Sequence, residues 1–291
     1  MSRQENLRRH QWDIISQTVN EKVLSELFEF LRSQQVEPIA IKGWSISRFY
    51  PPTQIRTYSD IDLAVGHDEL QTLDQALKHL KPSPVPVDSH AELRDRDTVP
   101  WDDLFAHSYT VELNGVPIRV LSDEDNLRVT AAHWLIDGGI FKEKLWDIYY
   151  LVQNRNPDFD WERCIDAAGP VRRSWVIAAI ATARDYLDLD VTNLPDPIRK
   201  VELPIWYKET LEREWERGPY PRIPLWLCVG KPRILVEQIK RRFPPNPIAA
   251  TTDTEGMIDE RFRIPYQFRS ALKKLRPGIA GLARKTSTYR K

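Results

Sequence analysis

Two aspartates one residue apart interrupt a stretch that otherwise reads as a buried β-strand, and nothing else in the chain constrains it as much. In SDIDLAV, residues 59–65, Ile61, Leu63 and Val65 fall on one side of the pleat and Asp60 and Asp62 on the other. Paired carboxylates repel each other unless something positive lies between them. A third carboxylate, Asp88, sits in VDSHAEL, which alternates in the same way, with Val87, Ala91 and Leu93 opposite Asp88, His90 and Glu92. If that second strand lies beside the first, three carboxylates come together. Carboxylate oxygens are the ligands magnesium takes, its remaining positions being left to water and substrate phosphates.

What precedes the pair suits a phosphate. VEPIAIK, residues 36–42, reads as a short strand, Gly43 breaks it, and WSISRFY suits a short helix stopped by Pro51 and Pro52. Gly43 lets the backbone approach a phosphate closely, and the helix start offers unsatisfied N–H groups. Lys42 adds a point charge, Ser45 a hydroxyl, and Arg56 a guanidinium able to grip a phosphate with two nitrogens. In such a site one metal activates an attacking hydroxyl while a second holds a triphosphate and neutralises the leaving pyrophosphate.

Elsewhere periodicity is mostly helical. Residues 7–33 carry Trp12, Ile15, Val19, Val23, Leu27 and Leu31 at spacings of three and four, and DELQTLDQALKHL repeats leucine at the same spacing. HSYTVELNGVPIRVL reads as a hairpin turning at Asn114-Gly115. Ser122 followed by Asp123, Glu124 and Asp125 starts a helix, the acids complementing its dipole. The helical pattern runs on to about residue 153, broken at Gly138-Gly139, and resumes in WERCIDAAG and RRSWVIAAIATARDYLDL. Residues 190–225 are proline-rich and read as irregular, KPRILVEQIKRRF as a helix, and PPNPIAATTDTEG as a loop.

Several function classes drop out. The 42 basic and 42 acidic residues cancel, so no global field steers the chain toward nucleic acid or membrane. Cys164 and Cys228 are too few for a disulfide framework or a four-thiolate zinc site, and the six histidines form no i, i+4 pair. No G-x-G-x-x-G, Walker loop or nucleophile elbow is present. IAIK has the form of a kinase strand lysine, but no glycine-rich loop, H-R-D or D-F-G accompanies it. The charged N-terminus has no signal core and no run approaches a membrane span, so a soluble, cytosolic protein is expected.

In the order Lys42-Gly43, Tyr50-Pro51, Arg56, Asp60-Ile61-Asp62-Leu63, the segment resembles nucleotidyltransferases of the DNA polymerase β superfamily. It is similar in particular to uncharacterised bacterial members with a K-G … D-I-D-L pattern. Val87-Asp88-Ser89-His90, the stretch from Leu121 to Leu127 with His133, and Trp146-Asp147 match later motifs of that group. Trp44 stands between Gly43 and Ser45, where the wider superfamily has the two small residues adjacent, which weakens Ser45 as a phosphate contact.

The resemblance implies an α+β fold, a mixed sheet with flanking helices followed by a mainly helical C-terminal half. Residues 1–35 would form a helix packing on the core, 36–122 the catalytic core, and 123–291 a helical region ending in a basic tail. It implies transfer of a nucleoside monophosphate from an NTP, ATP or GTP, to an unidentified acceptor hydroxyl, with magnesium, or manganese in its place. Asp60, Asp62 and Asp88 would bind metal, Asp88 would also help deprotonate the acceptor, and Lys42, Gly43, Ser45 and Arg56 would hold the triphosphate. A small molecule, peptide or RNA fits as acceptor, nucleic acid being the least favoured. Two alternatives remain open, a non-catalytic nucleotide-binding or partner-binding relic and a two-metal phosphohydrolase.

Overall fold

The computed structural model describes residues 3–79, 83–94, 96–218, 220, 223–228 and 230–274. They group into two compact units that do not follow chain order: 1–130 with 147–169, and 131–146 with 170–291.

The first unit opens with α1 (Arg3–Ser33). A sheet follows, built from β1 (Ile39–Ile41), β2 (Ile61–Val65), β3 (Val87–Ala91), β4 (Tyr109–Leu113) and β5 (Val116–Val120). Between strands lie α2 (Gly43–Ser47), α3 (Leu70–His79) and α4 (Trp101–His107). The order across the sheet is β3-β2-β1-β5-β4, with β1/β2 and β4/β5 antiparallel and β2/β3 and β1/β5 parallel. The expected mixed sheet with flanking helices is therefore observed. The β4–β5 hairpin turns at Asn114 and Gly115, both at positive φ, as a two-residue turn matched to strand twist requires.

Alternation in β2 decides where the core goes. Ile61, Leu63 and Val65 pack with Val120 and Ile118 against Leu24, Phe28 and Leu31 of α1. The opposite face, Ile39, Ile41 and Ala64, is covered by Leu93, Val99, Leu104, Leu121 and Val129. Asp62 lies on this second face at 5% exposure, a charge inside a core. Only the second half of α1 packs on the sheet. Trp12, Ile15 and Val19, which continue its apolar stripe, are exposed. A helix of 31 residues spans about 46 Å, far more than the roughly 17 Å of a five-residue strand, so the stripe outruns the surface it could bury against.

The chain then turns helical: α5 (Asp123–Ile136), α6 (Leu145–Gln153) and α7 (Trp161–Asp166). The helix start expected at Ser122 is borne out, with Ser122 Oγ accepting from the Asp125 N–H at 3.2 Å. Within the first unit Arg128, fully buried, donates to Asp97 and Asp125, and Arg163 donates to Asp125 as well.

The second unit holds α8 (Gly169–Leu187) from residue 170 on, α9 (Asp196–Arg199), α10 (Ile205–Arg217), α11 (Pro232–Arg242), α12 (Pro247–Asp253) and a further helical stretch over 264–274. Two sequence expectations change here. α10 occupies part of the segment read as irregular, starting behind Pro204 and closed by Gly218 at φ 67°. α12 occupies the segment read as a loop, its first turn capped by Asn246, whose side chain accepts from the Ala249 N–H. The expected break at Gly138-Gly139 is present, both residues at positive φ, with Asn246 Nδ2 donating to the Gly138 carbonyl. The last part of the basic tail, 275–291, lies outside the described residues.

Candidate active site

β1 ends at Ile41, and the next two residues leave the sheet by an unusual path. Lys42 has φ 53° and ψ −145°, and Gly43 has φ 33°. A side chain at 43 would be strained, and its Cβ would press on the Tyr58 ring at 3.3 Å. A non-glycine residue held at positive φ, as Lys42 is, marks a place where the surroundings over-determine the backbone.

The turn drops Lys42 onto β2. Ile41 pairs with Asp62 across the β1/β2 ladder, and Lys42 Nζ donates to Asp62 Oδ1 at 2.7 Å. On the other flank β3 runs parallel in a register that sets Asp62 beside Asp88 and Ala64 beside His90. His90 reaches diagonally, its Nε2 lying 2.8 Å from the same Oδ1. Burial by itself would raise the Asp62 pKa, but the His90 and Lys42 contacts outweigh it and hold the carboxyl down at about 2. Lys42 thus supplies a positive charge beside Asp62.

Asp60 stands just before β2, half-buried, and Asp88 is exposed on β3. The register brings Asp62 and Asp88 side by side. Among the described residues, however, no three His, Cys, Asp or Glu side chains are already spaced to hold a metal ion. A narrow cavity beside the turn is lined by Gly43, Ser45, Tyr58, Asp60 and Asp62. Tyr58 Oη, buried there, has no hydrogen-bond partner.

The remaining candidates are placed differently. Ser45 is fully buried, and its hydroxyl accepts from Asn126 Nδ2 at 3.2 Å. Arg56 gives both of its Asp-facing nitrogens to Asp147, at 2.6 and 2.8 Å, and its third to the Gly43 carbonyl at 3.1 Å. Tyr50 donates to the same Asp147 carboxylate, and burial together with that charge pushes its pKa up. Arg56 is therefore a strut under the Lys42-Gly43 turn. Sequence reading placed Arg56 and Asp147 among the motifs but did not join them, and it left His90 out of the site, although His90 shares the Asp88 face by simple alternation.

A larger concavity, about 760 Å³, opens at the far end of β2 and β3, where Asp68, Glu69, Glu92 and Asp102 line it together with Arg94 and Trp101. It lies past the C-terminal ends of the strands, whereas Asp60 and Asp62 sit at the start of β2.

No curated protein matches the sequence. A crystal structure of an antigenic nucleotidyltransferase-like protein from Paracoccidioides brasiliensis aligns with a TM-score of 0.42 and 17% identity, over 58% of this chain and 89% of that one. A family model described as "Uncharacterised nucleotidyltransferase" matches residues 5–81 and 78–187, well over half of the chain and all of the elements that carry Lys42, Asp60, Asp62, Asp88 and Asp147. The chain belongs to this nucleotidyltransferase family.

Proposed function

We propose that the chain transfers a nucleoside monophosphate from an NTP to an acceptor hydroxyl, with a divalent cation and release of pyrophosphate. The observation that carries this is the parallel β2/β3 register, which sets Asp88 directly beside an Asp62 kept ionised next to the Lys42-Gly43 turn.

The donor set fits magnesium by its chemistry. Asp60, Asp62 and Asp88 offer hard carboxylate oxygens, and both contacts to Asp62 use only Oδ1. These three residues would hold the metal, which when bound supplies charge for the phosphates and lowers the pKa of a coordinated hydroxyl. The Lys42-Gly43 turn, with the Lys42 ammonium beside Asp62 and Arg56 bonded to the Gly43 carbonyl, would hold the triphosphate. Asp88, the most exposed of the three, accepts the acceptor's proton. The acceptor oxygen then bonds to the α-phosphorus as the bond to the bridging oxygen breaks, and pyrophosphate leaves with the electron pair.

The test uses each of the four NTPs labelled at the α-phosphorus, with magnesium and a fractionated pool of small-molecule, peptide and RNA acceptors. Stable label on an acceptor, with equimolar pyrophosphate, is the expected result. Asp62→Asn and Asp88→Asn should each lower the rate on the order of 100-fold or more, the scale of losing one group that stabilises developing charge. Label released only as free NMP would favour a phosphohydrolase. NTP bound without turnover would favour a binding relic.

A further inference from the structure

The second unit carries two helical segments whose apolar stripes face solvent. Along 264–274, Ile264, Phe268 and Leu272 recur every fourth residue at 57%, 64% and 47% exposure. In α11, Val236, Ile239 and Phe243, which caps the helix, follow at i, i+3 and i+7, also exposed. One hydrogen bond ties the end of the second segment to the first, Gln267 Nε2 donating to the carbonyl of Pro245, two residues past Phe243. Monomeric soluble proteins seldom leave apolar stripes of this extent bare.

The charge beside the stripes is mainly basic, with the exposed Glu237 of α11 as the exception. Arg269 flanks the first, Arg233 and Lys240 flank the second, and residues 261–274 contain no carboxylate side chain. Lys273 and Lys274 pair with Asp253, and Arg261 and Arg263 with Asp259, but Lys273 and Lys274 stay more than half exposed. The overall neutrality of the chain hides this local excess.

From this pairing we infer that the surface formed by α11 and 264–274 docks on a lipid bilayer bearing anionic headgroups. Aliphatic and phenylalanine side chains enter the boundary between headgroups and acyl chains, while arginine and lysine meet the phosphates at the same depth. A second copy of the chain would set like charge against like. RNA would satisfy the cations and find rings only at Phe268 and Phe243, gaining nothing from Ile264, Leu272, Val236 and Ile239. Among the described residues no helix is long and apolar enough to cross a membrane, so the contact is peripheral.

Sedimentation of the full chain with vesicles tests this, comparing equal parts phosphatidylglycerol and phosphatidylcholine with phosphatidylcholine alone. Binding is expected on the anionic vesicles, and should be at least about tenfold weaker on neutral ones and in high salt. Phe268→Ser combined with Leu272→Ser should weaken it by about tenfold or more, as should Arg269→Glu, with circular dichroism and thermal unfolding unchanged because these side chains are exposed. Trp12→Ser, in the first unit, should bind as the parent does. The inference is overturned if the parent stays in the supernatant, if neutral vesicles bind equally well, or if the double variant binds undiminished. It is overturned equally if single-stranded RNA outcompetes the vesicles, or if these substitutions instead abolish self-association of the chain.

Discussion

Asp62 is the residue on which the proposed chemistry turns, and its electrostatics have a measurable signature in the protein without metal. Its carboxyl titrates at about 2 when folded against an ordinary 3.8, because Lys42 and His90 favour the charged form more than burial disfavours it. A depressed folded pKa contributes stability that is fully present above about pH 4 and is lost as pH falls toward 2. The shift corresponds to about 2 kcal/mol. Urea unfolding of the metal-free protein should therefore weaken by roughly that amount through this window. Asp62→Asn should be less stable at neutral pH and lack that part of the acid slope. An unchanged slope in the variant would show that the Lys42 and His90 contacts do not stabilise the carboxylate in solution.

At the scale of elements, the contact between α6 and the Lys42-Gly43 turn separates two roles for Arg56. Sequence reading cast it as a triphosphate ligand, but the guanidinium is committed to Asp147 and the Gly43 carbonyl, with side-chain exposures of 15% for Arg56 and 6% for Asp147. Arg56→Ala leaves a buried carboxylate without its cation and should destabilise the protein by about 3–5 kcal/mol, measured by chemical unfolding. A simple phosphate ligand would instead weaken NTP binding with stability intact. Much of this layer was legible beforehand. The alternation of SDIDLAV gave the β2 faces, Asn114-Gly115 gave the hairpin, and Ser122 gave the start of α5. The Arg56–Asp147 pair was not legible, because its partners lie 91 residues apart and no local period encodes them. Nor was α10, whose buried face rests on Tyr207, Thr210 and Leu211 and so shows little aliphatic rhythm. α12 had a usable signal that went unread: Asn246-Pro247 supplies a capping side chain followed by proline in the first turn.

At the scale of the whole molecule, the division into units does not coincide with any single cut in the chain. Residues 131–146 belong with 170–291 although the first unit resumes at 147. They include Ala131, Ala132, Trp134 and Leu135, all at 1% exposure or less. A fragment ending at Gly169 would keep the aspartates but strip this segment of its companions, and Trp134 and Leu135 would meet water. It should bind a hydrophobic dye strongly and elute as aggregates in gel filtration, where the full chain elutes as a defined species. A monodisperse fragment would mean the segment is dispensable to its own folding. The three crossings between units, at 130/131, 146/147 and 169/170, fall within α5, within α6 and at the first turn of α8. Modules that travel between genes are joined at loops, where a splice breaks no hydrogen-bond ladder. Here two of the three crossings fall inside α5 and α6 and the third trims the first residue of α8, so cutting the aspartate-bearing unit free leaves the hydrogen-bond ladders of α5 and α6 open-ended.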